Sequence, residues 1–383
     1  MLEKALYGDK KYWSLVFILS GFILLGLFFY LKQYHTGLTI TGLGRDVSWG
    51  FYIAQLTFLV GVAASAVMVV LPYYLHDFKV FGKITILGEF LAISSVTMCM
   101  LFVVVDLGQP FRMLNMFLHP SLNSILFWDS VVLSVYLMLN LIIGWTMLGA
   151  ERKGIAPPKW VKPIILLSIP WAISIHTVTA FLYCGLAARP FWMTAVLAPR
   201  FLASAFAAGP ALLILFSFIL KKYTKFDAGK EAVQKLAIIA TYAMLANIFF
   251  ILMEIFTAFY SNIPEHIDHF KFLFVGLQGN TILVPWMWAS SILAIIAALL
   301  LVIPKSRNNT TTLGIACVAV FVSIWIDKGL GMIVAGFTPS PLHVVADYWP
   351  TWPELFISLG IYGIGFLMVA GLYKIALSVR GEV

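Results

Sequence analysis

The chain has 383 residues, of which 61% are hydrophobic and only 11% are charged. This balance excludes a soluble globular domain and is typical of a membrane protein. The net charge of +8 does not indicate nucleic-acid binding, because the basic residues are spread over short loops between apolar segments.

Ten apolar segments are each long enough to cross a bilayer, which needs about 20 apolar residues. They lie at 12–32, 51–75, 84–106, 124–148, 163–187, 199–220, 236–260, 280–303, 311–327 and 353–375. The first is too long for the core of a signal peptide and has no small-residue cleavage site after it, so we expect it to remain as a helix. The pattern predicts an all-α polytopic membrane protein with ten transmembrane helices.

The distribution of Lys and Arg predicts the orientation. Of the 25 basic residues, 18 lie in the two termini and in the loops on the same side of the membrane, and 7 lie in the other set of loops. Short loops rich in Lys and Arg stay in the cytoplasm. Both termini are therefore predicted to be cytoplasmic, and the ends of the odd-numbered helices should lie at the outer face.

The eight central helices divide into two similar groups. Each group begins with a helix rich in small residues, at 59–66 and at 202–209. In each group the next helix carries an acid in its outer half, Asp106 in the first and Glu254 in the second. This predicts two four-helix bundles with one extra helix at each end. The boundaries are 1–48 for the first helix and outer loop, 49–190 and 191–335 for the bundles, and 336–383 for the last loop and helix.

Cysteine and histidine usage argues against resident metal cofactors. Cys99, Cys184 and Cys317 lie singly in three apolar segments, without the several thiolates that an iron–sulfur cluster needs. Of the seven histidines only His176 lies well inside a helix, whereas a bis-histidine haem needs two at matching depth. We predict no haem, no iron–sulfur cluster and no metal site in this chain.

Three ionisable residues inside the membrane are candidates for proton chemistry, because such groups usually face a cavity or a partner. Asp106 lies in the last turn of its helix, with Arg112 near enough in sequence to act as its counter-charge. His176 can exchange a proton near working pH, and Glu254 lies two turns below the outer surface. Each also has a purely structural interpretation: a loop-fastening ion pair, a hydrogen-bonded histidine and a paired acid.

Other polar residues complete a predicted cavity near the outer face. Gln55, Asp129, Tyr183 and Asn247 are candidates for its lining, although each is also typical of hydrogen bonding between helices. Arg189 and Trp192 lie just beyond the fifth segment, at the mouth of such a cavity. On the cytoplasmic side, His76, Asp77 and Glu89 are either solvated helix ends or the start of a proton path. These residues fit a quinone site, and they equally fit a transporter of small molecules or ions.

Four stretches in a fixed order carry a resemblance to a known family. They are 49–54 (WGFYIA), 106–112 (DLGQPFR), 174–181 (SIHTVTAF) followed by 189–192 (RPFW), and 348–354 (YWPTWPE). The chain resembles the NrfD/polysulfide-reductase family of membrane subunits. The likeness is greatest to its ten-helix branch, which includes the P subunit of the Dsr complex and the Hdr-like menaquinol oxidoreductase (Hme) subunit.

The resemblance implies menaquinone or menaquinol bound near the outer face, and electron exchange with a ferredoxin-like iron–sulfur subunit outside the membrane. It also implies a wider complex with a multihaem cytochrome c, a b-type cytochrome and a heterodisulfide-reductase-like subunit. The quinone and proton residues would be Asp106, Arg112, His176 and Glu254, and the binding residues near them would include Trp49, Tyr52 and Gln55. One position departs from the family, because Asp327-Lys328 stands where members often have an acid–Arg pair.

We therefore expect a multi-pass subunit of a menaquinol oxidoreductase in the cytoplasmic membrane, without turnover of its own. Menaquinol would give its first proton to Asp106 or His176, and Glu254 would be the second acceptor. The alternative is a transporter or proton-conducting subunit without quinone chemistry, which paired repeats and intramembrane acids also favour.

Overall fold

The structure is a computed structural model that describes residues 2–76 and 78–382, with only the backbone of Leu75. Within these residues ten helices are long and apolar enough to cross a membrane. The same residues contain no β-strand beyond one isolated bridge between Leu277 and Asn280. The all-α architecture with ten membrane-crossing helices is confirmed, and Asp77, named above for a proton path, lies outside the described residues.

The ten membrane-crossing helices are numbered in chain order. They are α1 (Lys10–Thr36), α2 (Phe51–Ala63 continued by Ser65–Leu75), α3 (Gly82–Asp106), α4 (Ile125–Lys153), α5 (Val161–Cys184), α6 (Leu197–Tyr223), α7 (Lys230–Tyr260), α8 (Val284–Val302), α9 (Thr310–Phe337) and α10 (Trp352–Arg380). A short helix, Pro264–Phe274, lies between α7 and α8.

Helix α9 is longer than the sequence predicted. The apolar run ends at Asp327-Lys328, so the segment was expected to stop at 327, but the helix continues to Phe337. Its middle part, Trp325–Gly331, is a π-helix. Asp327 and Lys328 both contact residues of another helix inside the protein, and α9 continues past them without a break. Single π turns within α-helices are frequent at functional sites.

Helix α2 lies at the centre of the fold. Every residue of its first part, Phe51–Ala63, is buried, as expected for a helix that is apolar on all sides. It packs against α3, against α6 and against the π-helix of α9. Polar side chains on α2 are therefore enclosed by other helices.

The remaining contacts follow the chain order. Helices α2 to α5 each contact the next, and so do α6 to α9, with α9 returning to α6. The two sets meet where α2 and α5 pack on α6. Helix α10 packs on α3 and also pairs closely with α1, where a Cβ on Gly26 would lie only 2.6 Å from the Cα of Gly360. Apart from this pairing α1 is largely exposed, so its apolar surface faces the membrane.

Candidate functional site

Asp106 is the last residue of α3, at the end that the charge distribution predicts to be outer. Its Oδ1 atom is buried and has no hydrogen-bond partner among the described residues. The negative end of the helix dipole gives a carboxylate at this position no stabilisation. An unpartnered buried carboxyl needs an explanation, and a ligand or a proton-transfer role is one.

Gln33 of α1 joins the helices around Asp106 by two hydrogen bonds. Its Nε2 donates to the carbonyl oxygen of Val105 at 2.6 Å, and its Oε1 accepts from the hydroxyl of Tyr52 at 2.8 Å. Three helices are joined by these two bonds, because Tyr52 lies on α2 and Val105 on α3. Tyr52 was predicted as a binding residue, whereas Gln33 was not, since it follows the first apolar segment beside Lys32.

A small cleft lies next to this group, between α1 and the segment that follows α3. Its volume is about 10 Å³, and it is lined by Tyr30, Gln33, Tyr34, Gly37, Leu38, Leu107, Gly108 and Pro110. This volume corresponds to about one water molecule. A ligand ring would therefore enter only if α1 or the loop moved outward.

Arg112 does not pair with Asp106 in the structure. It lies in a 3₁₀-helix, Pro110–Leu114, and its side chain is exposed. The described residues contain no ion pair between these two groups. The counter-charge that the sequence suggested is thus not in contact with the carboxyl.

Glu354, at the start of α10, joins the helix and loop ends that lie around it. Its Oε1 accepts from the Tyr348 hydroxyl at 2.7 Å, and its Oε2 accepts from the backbone N–H of Gly42 and of Thr351, both at 2.8 Å. The Tyr348 hydroxyl in turn accepts from the N–H of Phe51, the first residue of α2, at 2.6 Å. Burial, with the nearby Glu354, raises the pKa of Tyr348, so Tyr348 remains a hydrogen-bond donor.

Three predicted binding residues form an aromatic cluster with Phe337 of α9. The ring centroid of Trp49 lies 5.8 Å from that of Tyr183 and 6.1 Å from that of Trp192. Trp192 is fully buried and donates from Nε1 to the carbonyl oxygen of Met332 at 3.0 Å. The guanidinium of Arg189 lies 4.3 Å above the Phe337 ring, and burial lowers its pKa. The structure brings these residues together, but as a packed cluster in which most ring pairs meet edge to face.

Two further predicted residues, Asp129 and Gln55, are engaged within the bundle. Asp129 accepts from the Thr179 hydroxyl at 2.6 Å, which ties α4 to α5. Gln55 accepts from Trp325 Nε1 at 2.7 Å and from the Tyr362 hydroxyl at 2.6 Å, which ties α2 to α9 and α10. Both arrangements match the helix-to-helix hydrogen bonding considered as an alternative for these residues.

His176 is fully buried, and neither of its ring nitrogens has a hydrogen-bond partner in the described chain. Lys328 is also buried, with its Nζ 4.2 Å above the Phe201 ring and 3.5 Å from the Phe201 carbonyl oxygen. Two basic groups thus lie in the protein interior with little hydrogen bonding.

Glu254 has a partner that the sequence analysis missed. Arg200 of α6 lies 2.5 Å from Glu254 Oε2, and it donates to both carboxylate oxygens of Asp327 at 2.7 and 2.8 Å. In the sequence, Arg200 counts only as one of the 7 basic residues in the less basic set of loops, so it was given no role inside the membrane. The sequence feature that could have pointed to this partner was Asp327-Lys328, which stands where family members often have an acid–Arg pair. In this chain a guanidinium from another helix, α6, pairs with Asp327.

A larger open groove lies beside the end of α5 and the start of α6. Its volume is about 290 Å³, and it is lined by Phe181, Cys184, Met193, Thr194, Ala195 and Ala198. None of the predicted site residues lines it. The groove shares no lining residue with the cleft between α1 and the segment that follows α3.

The ten apolar helices and the charged groups enclosed among them define a multi-pass integral membrane protein. Residues 39–338 match the family described as polysulphide reductase, NrfD, and the chain belongs to that family. The family resemblance inferred from the four sequence stretches is confirmed.

Three curated relatives are similar along much of the chain. A selenate reductase subunit of Mesobacillus selenatarsenatis is 23% identical over 96% of this chain and 92% of its own length. The menaquinone reductase integral membrane subunit of Nitratidesulfovibrio vulgaris is 22% identical over 94% and 90%, respectively. The Hdr-like menaquinol oxidoreductase integral membrane subunit of Archaeoglobus fulgidus is 24% identical over 66% and 62%.

Proposed function

We propose that this protein is the quinone-interacting membrane subunit of a redox complex, and that it oxidises menaquinol or reduces menaquinone near the outer face. Two relatives carry menaquinol or menaquinone in their names. The observation that carries the proposal is the buried, unpartnered Oδ1 of Asp106 beside a cleft at a helix end. The excess of Lys and Arg at the other end supports an outer position for this cleft.

The substrate would enter from the membrane between α1 and α3. Oxidation of a quinol releases two protons and two electrons. Asp106 would accept the first proton, because its Oδ1 has no competing partner. Tyr52 and Gln33 would orient the ring, since both lie next to the cleft and already form a hydrogen-bonded pair. Exposed Arg112 would reach the site only after the loop moves, so we assign it to substrate entry.

The second proton would pass through the interior. His176 has two unpartnered ring nitrogens, and Asp129 lies on the neighbouring helix. Glu254 remains a candidate acceptor, on the condition that its ion pair with Arg200 opens. Tyr183, Trp49, Trp192, Arg189 and Gln55 would then hold the two helix groups in register rather than contact the substrate. We propose that these groups are two four-helix bundles at 49–190 and 191–335.

The electrons would leave through partners, since the cysteines of this chain lie singly. We propose a ferredoxin-like iron–sulfur subunit on the outer face as the direct partner. A multihaem cytochrome c, a b-type cytochrome and a heterodisulfide-reductase-like subunit would complete the complex. These partners come from the family resemblance.

A specific observation favours a second candidate, a proton-conducting or transporting subunit. Arg200, Glu254, Asp327 and Lys328 lie close together inside the second helix group, and α9 is a π-helix at that level. Charged residues inside membranes often mark ion or proton paths. Quinone chemistry coupled to such a path would combine both candidates, with Glu89 on its cytoplasmic side.

A quinone titration on the complex with its partner subunits tests the proposal. Quenching of tryptophan fluorescence by a menaquinol analogue would be followed for wild type, Asp106→Asn and His176→Ala, with Asp46→Asn in an exposed loop as the matched control. Loss of one hydrogen bond to a charged group corresponds to about tenfold or more in binding. We expect that loss in Asp106→Asn and none in Asp46→Asn. Unchanged binding and turnover in Asp106→Asn would contradict the assignment.

A further inference from the structure

Three lysines converge at the end of the molecule that carries both termini. Lys11 of α1 and Lys222 of α6 lie above the ring of Tyr223, at 5.8 and 5.5 Å from its centroid. Lys374 of α10 lies 5.5 Å from the ring centroid of Tyr12. We call Lys11, Lys222 and Lys374 the terminal lysine cluster. The rings of Tyr12 and Tyr223 thus connect the ends of three helices, α1, α6 and α10, that are far apart in sequence.

Three basic residues at this end have carboxylate partners, whereas the lysines of the cluster have none among the described residues. The pairs are Lys83 with Glu382 at 3.6 Å, Lys221 with Asp227 at 2.7 Å, and Arg380 with Glu151 at 2.9 Å. Over residues 2–76 and 78–382, no lysine of the cluster has a carboxylate within 4.0 Å. The nearby Asp9 uses its side chain to cap α1, by accepting from the backbone N–H of Tyr12 at 2.9 Å.

The contacts that the cluster does make leave binding capacity unused. A tyrosine ring engages one side of an ammonium group, whereas each ammonium has three N–H donors. A tetrahedral anion such as a phosphate presents several strong acceptor oxygens to donors that approach from different directions. Three ammonium groups on three helix ends match that chemistry better than they match a single carboxylate.

Apolar side chains continue from the cluster into the membrane. One turn deeper on α1, Leu15 and Ile18 are 44% and 50% exposed, and on α6 Ile219 is 50% exposed. Helix α1 contacts little besides α10, so this surface is open to lipid. Tyrosine rings are typical of the membrane–water interface. The cluster therefore lies at headgroup level above surfaces that acyl chains can cover.

We propose that the terminal lysine cluster is a binding site for the phosphate headgroup of an anionic phospholipid. The lipid occupies the leaflet on the side of the termini. Its phosphate accepts from the three ammonium groups, and its acyl chains cover the apolar surfaces of α1 and α6. The lipid thereby holds α1 and α10 against the central helices at this end.

Native mass spectrometry of the full-length chain with phosphatidylglycerol or phosphatidylcholine tests the site. The variant Lys11→Gln/Lys222→Gln/Lys374→Gln is compared with Lys159→Gln/Lys162→Gln/Lys305→Gln, which removes the same charge from exposed residues at the same end. Each lysine near an anionic lipid contributes about fivefold. We expect roughly a hundredfold weaker retention of phosphatidylglycerol in the first variant, near wild-type retention in the control, and no change with phosphatidylcholine.

Other outcomes would overturn the assignment. Equal losses in both triple variants would indicate diffuse attraction by positive charge, and retention in both would mean that no site exists. Displacement of phosphatidylglycerol by inorganic phosphate would identify a site for a soluble phosphate compound. If the triple variant does not fold, Lys222→Gln alone must still show about a fivefold loss; wild-type retention in it would refute the site.

Discussion

Arg200 forms a two-oxygen ion pair with Asp327 across two helices that are 127 residues apart in sequence. The same guanidinium reaches Glu254 through its other terminal nitrogen. Arg200 is thus the shared partner of two acids, and Lys328 lies close enough to interact with it electrostatically. Pairing one guanidinium with both carboxylates offsets part of the cost of burying these charges in a medium of low dielectric constant.

The first prediction concerns this shared partner. Arg200→Gln should lower the free energy of unfolding by about 3–5 kcal/mol, because it leaves two buried carboxylates without compensation. The matched control is Lys221→Gln, which breaks an exposed pair with Asp227 and should change stability by less than about 1 kcal/mol. Unfolding of the purified chain in detergent measures both. Equal stability of Arg200→Gln and wild type would show that the pair contributes nothing.

The second prediction concerns Lys328. Its ammonium is buried and has only a 3.5 Å contact to the Phe201 carbonyl oxygen and the face of that ring. Methionine has a side chain of similar length but no charge, so Lys328→Met removes the cost of burying an ammonium group. We expect the free energy of unfolding to be equal to that of wild type or higher, by up to about 4 kcal/mol. Quinol turnover of the complex should fall if Lys328 takes part in proton transfer past His176. A clear loss of stability in Lys328→Met would show that its charge is well compensated.

Most of the helices could be predicted because lipid imposes a simple requirement on them. About 20 apolar residues are needed to cross the membrane, and that length is readable in one dimension. The same rule failed at α9, since Asp327-Lys328 interrupts the run and the helix nevertheless continues to Phe337. The residues that contact Asp327 and Lys328 lie on α6, far away in sequence, so no local sequence pattern can reveal them.

The candidate site shows the same limit. Asp106 was recognisable as an acid at a helix end, and its buried, unpartnered Oδ1 agrees with that interpretation. The proposed partner Arg112 was only near in sequence, and the chain turns it toward solvent. Glu354 accepts from the N–H of Gly42, near the other end of the chain, and Gln33 donates to the carbonyl oxygen of Val105 on a different helix. Spacing cannot show such contacts.

The third prediction concerns the aromatic cluster. A Cβ at Gly336 would lie 1.9 Å from the ring of Trp192, so Gly336→Ala should displace the Trp192 ring from the aromatic cluster. We expect a loss of about 1–3 kcal/mol from overpacking and a change in tryptophan fluorescence. Gly371→Ala in α10 is the control, since a Cβ there meets nothing within 4 Å, and alanine in a helix should stabilise by about 0.5–1 kcal/mol. Similar results for the two variants would mean that the close approach does not constrain Trp192.

The fourth prediction concerns pH and His269, in the short helix between α7 and α8. Burial lowers the pKa of His269 to about 4, and its Nδ1 lies 3.0 Å from the carbonyl oxygen of Thr338. The unfolded chain has a histidine pKa of about 6.5. Above that pH the histidine is neutral in both states and native stability is complete. Between pH of about 6.5 and 4 only the unfolded state binds the proton, so about 3 kcal/mol of stability should be lost on acidification.

Unfolding measurements at pH values from about 4 to 7 check this expectation. His269→Gln cannot titrate, so its stability should depend less on pH than that of wild type over this window. His119→Gln, at an exposed loop position, should keep the wild-type dependence. The neighbouring His266 and Asp268 are present in all three proteins, so their contributions cancel in the comparison. If wild type and His269→Gln lose stability in parallel as the pH falls, the acid sensitivity arises elsewhere in the chain.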